Sequence, residues 1–476
     1  KGAEDEHGKT DPGARIERPF CGAVLSIFFA QLGQSADILY NPTNPIRCWR
    51  PSSMYPPFVP AAIRTVLALA VCVIPAAACA EEEADDSDWP WGQPVVEEAS
   101  GSVVLEGRFF LNPPRWLGQD RHAAALALQP EFYMEWDDYT SLTIEPFARL
   151  DNTDGSRSHF DLREAYMQIV RDDWELGLGI GKVFWGVTEF LHLVDVVNQT
   201  DAVENIDMED KLGQPMVNLT LIRNWGYLDA IYMPYFRDRT FVGRRGRMRG
   251  QFLVDDAQTN YESGAGRWHP DFALRWSNSI GDWDVGAYAF HGTSREPTLA
   301  LGFNDQFELV QIPTYEIINQ LGSDIQYTTG AWLWKLEALH RLGQKNGLGR
   351  EQNYYAMVGG FEYSLYGLLD SNADLGLLAE YARDSRLNKS SSGSQNDIFV
   401  GARLALNDAQ DTNLLASVII DLSNRTRVFG LEASRRIGES FKLTLEGRLF
   451  TDVDAADIVN GFRDDDMIQL ELGYYF

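Results

Sequence analysis

The sequence predicts an all-β chain: a transmembrane antiparallel up-and-down β-barrel of 16 to 18 strands, with 18 the best count. Three observations predict it. Runs of about ten residues alternate apolar and polar side chains, as barrel strands facing lipid on one side and water on the other must. Tight and long connections between those runs largely take turns. The last ten residues, "MIQLELGYYF", form a bare amphipathic strand with no polar tail.

Ahead of the barrel, residues 1–53 read as an upstream extension, with Met54 as a start. Residues 54–80 read as an export signal: Arg64 gives the positive flank, Thr65 to Ile74 the short apolar run, and Ala78-Cys79-Ala80 the small-x-small cleavage site. Residues 81–100 are acidic and punctuated by proline and read as a short flexible periplasmic lead, and 101–476 are assigned to the barrel. Cys21, Cys48, Cys72 and Cys79 all precede position 81, which removes disulfides, zinc-thiolate sites and thiol nucleophiles from the rest. Beyond position 80, 34 Lys and Arg face 63 Asp and Glu, a balance that argues against a nucleic-acid partner. No run there approaches 18 apolar residues, so no helix is expected to span a bilayer.

The candidate strands are 102–111, 124–136, 140–150, 159–170, 173–182, 216–223, 227–236, 270–278, 282–290, 322–329, 331–341, 353–364, 373–383, 396–406, 412–422, 426–436, 440–450 and 466–476. In "FKLTLEGRLF", Phe441, Leu443, Leu445, Gly447 and Leu449 oppose Lys442, Thr444, Glu446, Arg448 and Phe450. In "DFALRWS", Phe272, Leu274 and Trp276 oppose Asp271, Ala273 and Arg275. Connections such as "DDY", "RDD", "RNWG", "NSIG" and "RIGE" are tight, whereas three others run about thirty residues, the pattern of short turns at one barrel end and long loops at the other. A water-soluble sandwich also alternates, but its interior would have to hold Arg149, Arg275, Lys335, Glu337, Arg403, Glu446, Arg448 and Glu471. Burying that much charge without water is ruinous.

Closure answers the bare last strand, since a bilayer leaves strand edges no water and the final strand can pair with the first. Alternating apolar residues ending in Tyr474 and Phe476 are similar to the assembly signal of Gram-negative outer-membrane barrels. The resemblance implies the bacterial outer membrane, its lipid and lipopolysaccharide, and the barrel assembly machinery as surroundings.

Within the first long connection, "GKVFWGVTEFLHLVDVVNQTDAVEN" resembles a segment of poorly characterised outer-membrane porin-like proteins; the matching residues are Trp185, Gly186, Thr188, Asn198 and Asp201. Phe190, Val194 and Val197 fall at helical spacing, with Asp195, Asn198 and Asp201 three apart, which predicts a short helix against the inner wall. Its polar groups either brace the loop or meet the solute. "RDRTFVGRRGRMRGQ" carries Arg237, Arg239, Arg244, Arg245, Arg247 and Arg249. Bent inward, these face lumenal carboxylates such as Glu145 and Glu446, beside Arg448, and set a transverse field; kept outside, they meet lipopolysaccharide phosphates. Asp452, Asp454, Asp457 and Asp464 to Asp466 fit no calcium-loop spacing and read as a solvated face or as sites of lipid-bridging divalent ions.

His122, His159, His192, His269, His291 and His340 lie in no zinc-protease or nucleophile-elbow pattern, so no catalytic residue, metal site or cofactor is assigned and no enzyme is expected. The function expected is a porin-like channel for passive diffusion of small polar or charged solutes. The alternative is a plugged barrel acting in surface binding or as an outer-membrane lipid hydrolase. A homo-trimer is common among general porins and leaves no signature here.

Overall fold

Alternation along each strand dictates the architecture: one face must leave water and the other must keep it. The structure is a computed structural model and describes residues 94–137, 139–346, 349–387 and 394–476. The upstream extension, the export signal and most of the acidic lead lie outside the described residues.

In chain order the strands are β1 (Val96–Phe110), β2 (His122–Asp137), β3 (Thr140–Asp151), β4 (His159–Val170), β5 (Trp174–Gly181), β6 (Gln214–Arg223), β7 (Gly226–Met233), β8 (Asn260–Tyr261), β9 (Asp271–Ile280), β10 (Trp283–Thr293) and β11 (Thr298–Phe303). There follow β12 (Leu309–Tyr315), β13 (Ile317–Thr329), β14 (Trp332–Leu342), β15 (Tyr354–Leu365), β16 (Asp374–Asp384), β17 (Asn396–Ala405), β18 (Asn413–Asp421), β19 (Arg427–Ile437), β20 (Phe441–Thr451) and β21 (Met467–Tyr475). Eighteen of them form one antiparallel sheet, while β8, β11 and β12 form a separate small sheet. The large sheet closes on itself: β1 pairs with β21 from Ser102 opposite Tyr475 to Phe110 opposite Met467. Gly101 and Phe476 then exchange backbone hydrogen bonds of 3.1 Å. No edge is left at the seam, as a strand in hydrocarbon requires.

The two faces separate cleanly. On β21, Ile468, Leu470 and Leu472 are 40–41% exposed on the outside, while Met467 and Gln469 are 1% and 4% exposed. Phe272 and Leu274 on β9 likewise point out, between buried Asp271 and Ala273. Aromatic rings gather where the short turns lie: Trp283 against Tyr327 at 4.3 Å, Trp332 against Tyr363 at 4.5 Å, Phe441 against Tyr474 at 5.2 Å, with Phe476 6.1 Å from Tyr474. Such a girdle suits a headgroup boundary, where one end of the ring is apolar and the other wet.

Each of the eighteen expected strands has its counterpart, with three departures. β1 starts at Val96, inside what reads as the acidic lead. β13 starts at Ile317 rather than 322, and the Tyr288 ring lies against Gly322, where a Cβ would come within 2.4 Å of Tyr288 Cε1. The β8, β11 and β12 sheet was not expected. Among the described residues, no helix is long and apolar enough to cross a membrane, which has no bearing on a barrel that crosses with strands.

Candidate functional site

The connection from Lys182 to Gly213 folds into the barrel. Its apolar side chains Trp185, Val194, Val196 and Val197 are buried against Met216 of β6, Ile231 and Met233 of β7, Ala273 of β9, Tyr288 and Phe290 of β10, and Ile318 of β13. Across the lumen, wall carboxylates take its backbone. Glu337 of β14, fully buried, accepts from the amides of Val187 (2.8 Å), Thr188 (3.1 Å) and Val194 (3.2 Å) and from Thr188 Oγ1 (2.7 Å). Glu380 of β16 accepts from the amides of Glu189 and Phe190 at 2.9 Å each. Phe190 stacks on Phe399 of β17 at 5.5 Å, and Arg403 of the same strand pairs with Glu189.

The expected helix is therefore absent: residues 182–199 are irregular. Carboxylates from other strands satisfy the amides that a helix would have satisfied internally.

Asn198 ties the loop's two ends together. Its side-chain oxygen accepts from Val183 N at 2.8 Å, and its amide donates to Gly181 O and Leu212 O at 2.9 Å each. Asp201, fully buried, accepts from Thr240 Oγ1 at 2.6 Å and pairs with Arg163 of β4 at 2.7 Å. Its pKa is held well down; burial works against this, but His159, Arg163 and Thr240 outweigh it. Asp195 pairs with Lys211 at 3.0 Å, yet burial pushes its pKa up. These three residues brace the loop. Trp185 sits 5.3 Å from Tyr288 with the Arg275 guanidinium 5.2 Å over its ring, and a Cβ on Gly186 would meet Phe184 at 2.7 Å.

The arginine loop divides. Arg237 donates to Asp161 of β4 at 2.6 Å and to Gly213 O at 2.9 Å, and Arg247 pairs with buried Asp465 at 2.7 Å. Arg244 and Arg245 stay exposed, paired at 2.6 and 2.7 Å with Glu308 and Asp120. Arg239 donates to the neutral acceptors Gln199 (3.4 Å) and Arg295 O (2.8 Å), and burial lowers its pKa. Arg249 donates to the carbonyls of Arg244 and Gly250 at 3.0 Å each, and burial, then Arg244, lowers its pKa.

The expected facing of this loop with Glu145 and Glu446 does not form. Glu145 pairs with Lys182 at 2.9 Å, and Glu446 takes Arg448 at 2.6 Å, which also reaches Asp207 at 2.9 Å. The acidic run near the end of the chain is likewise not simply a solvated face, because Asp464 pairs with Arg115 and Asp465 with Arg247, both at 2.7 Å.

Sequence reasoning missed Glu106, Arg108, Arg157 and Glu380. Glu106 on β1 is 2% exposed and takes Arg108, Arg149 and Arg157 at 2.7–2.9 Å. The signal was available for three of these, since a charged residue at an inward strand position is a lumen residue by parity; Arg157, in a turn, gave none. Beside this cluster lies a cavity of about 550 Å³, whose charged lining is Arg108, Arg157, Arg239, Arg245, Arg247, Arg249, Lys345 and Arg386 against Asp120, Asp151, Asp154 and Glu296.

A closed 18-stranded antiparallel barrel, apolar outside and ionic inside, with a loop folded across its lumen, has the architecture of an outer-membrane barrel of porin type. No protein-family model matches the sequence, and no curated protein matches it. Among solved structures it is similar to OccD3 (OpdP) of Pseudomonas aeruginosa, at 9% identity and TM-score 0.48, over 81% of this chain and 91% of that one. It is also similar to OccAB3 of Acinetobacter baumannii, at 11% identity and TM-score 0.49, over 80% and 99%. A third is Wzi of Escherichia coli, a carbohydrate-binding β-barrel involved in group 1 capsule assembly, at 10% identity and TM-score 0.44, over 79% and 84%. At these scores the functional reading rests on the barrel's own geometry.

Proposed function

We propose that this chain is a passive diffusion channel of the bacterial outer membrane for small polar or charged solutes, narrowed by the loop 182–213. One observation carries the reading: the inner wall of a barrel with an apolar exterior holds Glu106, Arg149, Glu337, Glu380 and Glu446, each at most 9% exposed. Those groups are held by guanidinium groups and loop amides rather than by lipid, and the charged cavity of about 550 Å³ enclosed by the barrel beside them is the space that a polar solute would use. Arg239 and Arg249 donate to neutral acceptors beside the cavity, so their charge is available to a passing anion, and anionic solutes are favoured. Exposed Arg244 and Arg245 suit lipopolysaccharide phosphates, and Tyr474 with Phe476 suits the assembly machinery. Export would depend on residues 54–80.

The reading has a rival in a plugged barrel that binds at the surface, favoured by how fully 182–213 is docked. Single-channel recording of the folded chain decides between them. Discrete steps with a reversal potential on the anion side support the channel, and a silent bilayer overturns it.

A further inference from the structure

At the outer end of β4, three side chains from two parts of the chain converge. His159 comes from the wall, and Asp201 and Glu204 come from the docked loop. His159 Nε2 lies 3.4 Å from Asp201 Oδ2 and 3.7 Å from Glu204 Oε1, and one ligand atom from each of the three falls within 4.8 Å of the others. Asp201 is fully buried and Glu204 is 4% exposed. Beyond their contacts with each other, neither His159 Nε2 nor Glu204 Oε1 has a hydrogen-bond partner, and Asp201 Oδ2 pairs in addition with Arg163 at 2.7 Å.

The remaining atoms of the three residues are fixed from behind. His159 Nδ1 faces the Arg157 carbonyl at 3.2 Å, which favours the tautomer that leaves a lone pair on Nε2. Thr240 donates to Asp201 Oδ1 at 2.6 Å, and Arg149 holds Glu204 Oε2 at 2.6 Å. Ligands oriented by outer contacts in this way are what a metal centre requires.

We propose that His159, Asp201 and Glu204 bind a divalent transition-metal ion of the zinc type. Imidazole nitrogen and carboxylate oxygen are both zinc ligands, and tetrahedral bonds of about 2.0–2.2 Å place ligand atoms roughly 3.3 Å apart, close to the separations from His159. Calcium, which takes oxygen ligands, is disfavoured by the imidazole. The neighbouring guanidinium groups do not forbid the ion, because Arg149 also pairs with Glu106 at 2.8 Å and Arg163 with Asp161 at 3.1 Å. The bound ion would staple the inserted loop to the wall at β4, whether or not the barrel conducts.

The test is calorimetric titration of zinc chloride into the chelator-stripped, folded full chain, with calcium chloride as the control. A single zinc site is expected, with His159→Gln and Glu204→Gln each weakening it by at least about tenfold, the lower bound that loss of even an outer contact sets. No zinc binding by the unmodified chain, or equal binding by His159→Gln, overturns the proposal and leaves a protonated His159 bridging two carboxylates. Should the variants not fold, zinc-edge X-ray absorption of the unmodified chain decides: an imidazole in the coordination sphere supports the site, and its absence overturns it.

Discussion

The loops that leave β5 and β10 start from the same end of the barrel and satisfy their backbones in opposite ways. Residues 294–316 hold most of their order locally: β11 and β12 form a hairpin from Thr298 opposite Thr314 to Phe303 opposite Leu309, with the short β8 added beside β12, and Asn304 Oδ1 takes the amides of Gln306 and Glu308 across the turn. That hairpin leaves Leu301, Phe303 and Phe307 61–86% exposed. Residues 182–213 hold no strand or helix and give their amides to Glu337 and Glu380 on the far wall. One loop carries its own order, and the other borrows it from the barrel.

The sharpest way to break this contrast is to remove the lender. Glu337→Ala leaves three amides and the Thr188 hydroxyl without their acceptor in a buried site, at a cost of about 3–5 kcal/mol to loop docking. Limited proteolysis should then cut within 182–213 while the 294–316 pattern stays the same, and unit conductance should rise. Unchanged cleavage would show that the apolar contacts around Val194 and Val197 suffice. Asn198→Ala should act in the same direction but less, by about 2–3 kcal/mol, because it opens three hydrogen bonds at the loop's base and leaves the far-wall anchors in place. Asn198→Asp keeps the acceptor toward Val183 but sets a buried carboxylate oxygen against the Gly181 and Leu212 carbonyls, so it should lower the thermal unfolding temperature further than Asn198→Ala.

The same contrast explains what the sequence could and could not convey. Strand positions follow from period-two alternation, a property of each segment alone, and even the lumenal charge of Glu337, Arg403 and Glu446 follows from parity. The loop's conformation is not a property of the loop. Phe190, Val194 and Val197 have helical spacing, but the acceptors that win their neighbours' amides lie some 150 to 190 residues away. The β11–β12 hairpin is local and was still missed, because β12 is seven residues long and contains Pro313, which demotes a run that would otherwise read as a strand. The arginine loop was legible as a cluster of charge, yet its split into exposed Arg244 and Arg245 and buried Arg247 and Arg249 depends on partners such as Asp120 and Asp465 that adjacent sequence does not contain.

Acid should strengthen docking of 182–213. Asp210 has its pKa pushed up to about 6 by desolvation, then by Glu204 and Asp207, so the folded chain holds this proton where an unfolded aspartate, near 3.8, has released it. Stability from this group is therefore lost as pH rises from about 3.8 through about 6. Burial works to lower the His192 pKa, but the Glu209 carboxylate 3.1 Å away outweighs it and raises the value. Its contribution is fully present below the unfolded value of 6.5 and is lost as pH rises through the raised one. Both slopes have the same sign between about pH 5 and 8, while Glu209 and Asp201, whose pKa values are lowered, act only on the acid side of that window. Conductance should be lower at pH 5 than at pH 8, and Asp210→Asn should reduce the difference. A flat profile would break the link between loop charge and docking.

The smallest effect is expected where order is local. Asn304→Ala removes the side-chain oxygen that holds the Gln306 and Glu308 amides, two exposed contacts that water can replace, so the loss should be about 1 kcal/mol and confined to the hairpin. Hydrogen exchange should quicken along β11 and β12 and nowhere in 182–213, since the bond that joins the two segments, from Arg295 to the Val197 carbonyl at 2.8 Å, lies outside the hairpin. Quickened exchange at Val187, Thr188 and Val194 in this variant would mean that the outer hairpin clamps the inner loop, and the division between borrowed and self-made order would have to be withdrawn.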